Sequence, residues 1–97
     1  MEKPILILPS EFDEDSWLWE AKGFYSSAIV NAGGKSYSLK FYDKVRLAQD
    51  IEEELEAAAC FFENNLVVIP SITRGHMETA LVSLAAEEAF QRFTPMP

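Results

Sequence analysis

Ninety-seven residues, 48% of them apolar and 25% charged, suffice for one folded domain over 1–97 with a core of its own, and they argue against disorder. Sixteen Asp and Glu against eight Lys and Arg leave a net charge of −8 with no cluster of basic residues, which argues against nucleic acid as a direct partner because phosphate binding needs clustered cations. The same sign disfavours anionic membranes, and a single cysteine excludes an internal disulfide.

Ile5-Leu6-Ile7-Leu8, bounded by Pro4 and Pro9, reads as a short strand. The run is too short for a secretory core or a membrane span, and charge returns at Glu11, so the expected location is the cytoplasm. Ser10 to Ser16 is polar and acidic and reads as loop. Trp17-Leu18-Trp19-Glu20 reads as another strand, turning at Ala21-Lys22-Gly23. A period of two would then place both indoles on one side.

Phe24–Asn31 and Lys35–Tyr42 are rich in aromatic and β-branched residues, and Gly33-Gly34 between them supplies the positive φ of a tight hairpin. A two-residue loop sets Val30 opposite Tyr37 and Ala28 opposite Leu39, on one face with Phe41. Ser36, Ser38 and Lys40 take the other face, and a slip of one residue would break this pattern.

Asp43 stands as the N-cap of a helix running to Phe61 or Phe62. Its apolar stripe is Ala48, Ile51, Leu55, Ala58 and Phe62, which places Leu55 in the core. Leu66-Val67-Val68-Ile69 is continuously apolar and reads as an interior strand covered on both faces. Thr73 caps a last helix whose inner face is Met77, Ala80, Leu81, Leu84, Ala85 and Ala89, with Phe90 and Phe93 closing its end. The predicted order is β–β–β–(β)–α–β–α. This is an α+β fold, a mainly antiparallel sheet of four to five strands with two helices packed on one face.

Candidate chemistry concentrates in Pro70-Ser71-Ile72-Thr73-Arg74-Gly75-His76, where a buried strand meets a helix N-terminus. Ser71, Thr73, Arg74 and His76 could together hold a phosphate or carboxylate, although the glycines and lysine of a P-loop are missing. The plainer reading makes Thr73 a cap and pairs Arg74 with an acid. One histidine and one cysteine cannot supply a zinc set, and Cys60, at an apolar helix end, reads as a core thiol. Asp13, Glu14 and Asp15 lack EF-hand spacing, and Glu52 to Glu54 diverge by about 100° per residue on a helix. No metal, cofactor or catalytic set emerges.

The plainer readings make Trp17 and Trp19 core residues and the acidity a means of staying soluble. Ringed by acids, however, the two indoles together with Glu52, Glu53 and Glu56 on the long helix also suit recognition of a basic protein. The expected function is therefore a small acidic, non-catalytic interaction domain, of the inhibitor or immunity type by analogy of size and charge. The alternative is a small-molecule or anion-binding domain using the Pro70–His76 loop.

Overall fold

Gly33 and Gly34 organise the sheet. The structure, a computed structural model, describes residues 3–97. Both glycines have positive φ, 58° and 78°, as a type I′ turn requires. β2 (Phe24–Ala32) and β3 (Lys35–Tyr42) consequently pair antiparallel, with Ala28 opposite Leu39 and Val30 opposite Tyr37. Ala28, Val30, Leu39 and Phe41 are wholly buried, whereas Ser36, Ser38 and Lys40 alternate onto the opposite face. The register predicted from the hairpin is the one observed.

β1 (Ile5–Ile7) joins β2 antiparallel, and β4 (Leu66–Val68) joins β3 in parallel, giving a four-stranded mixed sheet in the order β1-β2-β3-β4. β4 is therefore an edge strand and not an interior one. Val67 and Ile69 are buried, but Val68 is 50% exposed. A continuous apolar run did not distinguish a strand covered on both faces from an edge strand with one face open.

The core lies on one face of the sheet. α4 (Arg74–Ala86) lays Met77 and Leu81 on it, and a 3₁₀ turn at Ala89–Arg92 sets Phe90 against Tyr37 with ring centroids 5.4 Å apart. The remaining cover comes from a segment expected to be loop and strand. Ser10–Glu14 forms α1, and Ser16–Lys22, including both tryptophans, forms α2. A five-residue helix is too short to stand alone. It is held because Phe12 is buried against Trp19 and Tyr25, with centroids 6.4 Å and 5.0 Å away. Gly23, at φ 76°, accepts the left-handed position that ends α2, and its N–H donates to the Trp19 carbonyl. That Lys-Gly pair was a helix stop, which the aromatic content of Trp17–Trp19 obscured.

α3 (Lys44–Ala57) starts where predicted, the Asp43 carboxylate accepting from the Arg46 backbone N–H at 2.8 Å. It ends at Ala57, short of Phe61. The helix is about 21 Å long, whereas β4 begins beside Lys40, two residues back from the end of β3. The chain must therefore turn back before a longer helix could form. α3 also starts on the face opposite the core. Tyr42 points away from Phe41, its ring neighbours Phe24, and the Arg46 guanidinium lies 4.3 Å from the Phe24 centroid. α3 contributes no buried residue, so the expected pair of helices on one face is replaced by α4 with α1, α2 and the 3₁₀ turn.

Asn65 ties the C-terminal segment to the sheet. Its side-chain N–H₂ donates to the carbonyls of Ser38 and Thr94, and its Oδ1 accepts from the Thr94 N–H. The Met96 N–H donates to the Ser36 carbonyl, so this segment seals the stretch of β3 that β4 does not reach.

Candidate functional site

Ser71 and Thr73 in the loop before α4, and Arg74 and His76 in its first turn, are the four residues singled out for ligand binding, and the fold brings them together. Thr73 Oγ1 accepts from the His76 backbone N–H at 3.1 Å, the ordinary duty of an N-cap. Ser71 Oγ and His76 Nδ1 share a hydrogen bond of 2.8 Å. Arg74 forks onto Asp13, Nη2 to Oδ2 at 2.9 Å and Nε to Oδ1 at 3.2 Å, linking α4 to α1 across 61 residues of sequence. Each polar side chain of the proposed anion site thus has a partner inside the protein. A ligand at Arg74 would have to compete with a carboxylate already seated in bidentate geometry.

Ser71 and His76 have the separation of a nucleophile and its base. Among the described residues, no carboxylate or other group hydrogen-bonds the His76 Nε2 that would orient the ring. Cys60 is exposed, contrary to its reading as a core thiol, because the helix stops before reaching it. No group of three His, Cys, Asp or Glu among the described residues is placed to hold a metal ion.

The second candidate region is α3. Glu52, Glu53, Glu54 and Glu56 are all exposed, and none belongs to the three ion pairs formed among the described residues. The apolar residues of this helix are also open to solvent: Val45 is 61% and Leu55 52% exposed, and Phe62 just beyond it is 76% exposed. Leu55 is therefore not a core residue. Of the predicted stripe, Ala58 and Phe62 fall beyond the end of the helix, Ala48 is exposed, and only Ile51, with its neighbour Leu47, is half-buried.

α3 meets the rest of the chain at its first turn, where Arg46 Nη1 donates to the Lys22 carbonyl at 3.2 Å and the guanidinium lies over the Phe24 ring. Arg46 also pairs with Asp50 within the helix at 2.9 Å, and Lys40 of β3 pairs with Glu63 in the segment that follows α3. Burial, then the charge and hydrogen bond of Asp50, then Glu63, raise the Tyr42 hydroxyl above its ordinary pKa, against a smaller opposing pull from Arg46.

Trp17 and Trp19 part company on α2, since two residues on a helix are about 200° apart. Trp19 packs on Phe12 and Tyr25 and its Nε1 is buried without an acceptor, whereas Trp17 is 69% exposed. The expected two-indole face was tied to a strand that does not form.

No protein-family model matches the chain, and no curated protein or solved structure is significantly similar to it. No helix among the described residues is long and apolar enough to cross a membrane.

Proposed function

We propose that this chain is a non-catalytic protein-interaction domain that binds a basic partner through α3. One observation carries the reading: an amphipathic helix that leaves Val45 and Leu55 uncovered beside four unpaired glutamates. Desolvating those apolar side chains favours docking, and the surrounding carboxylates supply steering and a charged rim. Trp17 adds a large exposed apolar side chain on α2. The internal pairing of Ser71, Thr73 and Arg74 favours this reading over anion binding.

The test uses a partner captured from lysate on the immobilised domain and then purified for stopped-flow kinetics. Association should slow steeply as salt rises, and replacing Glu52, Glu53 and Glu56 by Gln together should lower the low-salt on-rate by about tenfold. Leu55→Ala should instead speed dissociation. On-rates that ignore both salt and the triple substitution would remove α3 as the steering surface.

A further inference from the structure

β4 has one edge still open. In its parallel ladder the Lys40 N–H donates to the Asn65 carbonyl and the Ile69 N–H to the Tyr42 carbonyl, each at 2.9 Å. Asn65, Val67 and Ile69 therefore turn their backbone groups toward β3, and Leu66 and Val68 turn theirs outward. Among the described residues no strand pairs with that side, and no backbone hydrogen bond reaches it. Exposed edges are usually blunted by shortness, by charge or by proline within the strand; β4 is short, at three residues, but carries neither charge nor proline. Here the outward pair is Leu and Val. Along the same edge, on the core face, a groove of about 320 Å³ separates β4 from α4. Val67, Ile69, Ala80 and Leu84 make it apolar, and His76 and Ser83 lie on its border.

An extended chain satisfies both features at once. Its backbone can pair with Leu66 and Val68 while every second side chain enters the groove. We propose that β4 and α4 bind an extended peptide as a fifth strand, with apolar residues at alternate positions and basic residues on its flanks. A second copy could offer the same edge, but it would bring a net charge of −8 against −8. Charge complementarity thus selects the basic-flanked peptide. This site is separate from α3, which starts on the other face of the sheet, and does not depend on what α3 binds.

The probe is a short fluorescent peptide of alternating Val and Thr between pairs of Lys, added to the ¹⁵N-labelled chain. Saturable binding with Kd about 10–100 μM is expected, together with slowed hydrogen exchange at the Leu66 and Val68 amides. Val68→Pro removes one outward N–H without touching the ladder to β3, and should weaken binding at least about tenfold. Ala80→Trp, which fills the groove and leaves the strand backbone intact, should do the same if the proline variant fails to fold. The proposal is overturned by equal binding of a control peptide with Ser in place of Val, which would reflect charge alone. Binding without protection of the Leu66 and Val68 amides overturns it too, as does no binding at all. So does sedimentation showing that the edge is already occupied by a second copy, with dimers abolished by Val68→Pro.

Discussion

A Cβ added to Gly23 would lie 2.7 Å from Asp43 Oδ2 and 2.8 Å from the Arg46 Cβ. The same residue holds φ 76° and accepts the Asp43 N–H at 2.8 Å, so helix stop, close approach and the cap of α3 meet at one position. Gly23→Ala should therefore cost about 2–4 kcal/mol, joining the left-handed penalty to the clash. Urea melts check this, and a loss below about 0.5 kcal/mol would mean that the α2–α3 contact yields easily. Trp19 presents the opposite case, a buried N–H with no acceptor. Trp19→Phe keeps the ring stacked on Phe12 while removing an unsatisfied donor. Its net effect should be small, within about 1 kcal/mol, because lost apolar area and relieved desolvation oppose each other.

At the scale of elements, α3 and α4 show that apolar spacing does not by itself decide burial. Both carry apolar residues at spacings of three and four. Leu81 of α4 is 2% exposed, and Leu55 of α3 is 52% exposed. Leu81→Ala should cost about 2–5 kcal/mol through an uncollapsed cavity, and Leu55→Ala less than about 0.5 kcal/mol. Paired denaturant melts test the contrast directly. Equal losses would show α3 packed on the sheet in solution, and would withdraw its apolar residues from partner binding. Hydrophobic periodicity reports that a helix has an apolar side, not which surface covers it. The short helices pose the reverse problem. α1 has one buried residue, Phe12, and a single apolar position sets no period for a sequence reading to detect.

For the molecule as a whole, charge and shape point the same way. A radius of gyration of 13.7 Å exceeds the roughly 12.5 Å typical of 97 residues, in keeping with a helix that packs loosely. Alkaline stability tests two buried tyrosines, Tyr42 beside the start of α3 and Tyr25 in the core. Tyr42 and Tyr25 both have hydroxyls raised above the ordinary 10.0, chiefly by burial, with Asp50 and Glu63 adding for Tyr42 and Glu11 for Tyr25. Each stays protonated in the folded chain at pH values where the unfolded chain has begun to ionise. Their contribution is complete below pH 10.0 and is lost as pH rises through the folded values. Thermal melts should fall more steeply with pH above that point in the wild-type chain than in Tyr42→Phe. Parallel pH slopes would show that the Tyr42 hydroxyl ionises equally easily in both states.

The features the sequence determined alone are those whose physics is local. Two glycines with positive φ set the hairpin and its register, and Asp43 and Thr73 cap the helices that follow them. The net charge is likewise a property of composition. Tertiary structure decided what depends on distant partners. It made Trp17–Trp19 helical by burying Phe12, gave Arg74 to Asp13, and placed β4 at an edge. It also left the stripe of α3 uncovered. Turn and cap preferences act over a few residues and are written in adjacent letters. Whether an apolar side chain is covered depends on surfaces that sequence brings together only after the chain has folded, and no spacing along the chain encodes that.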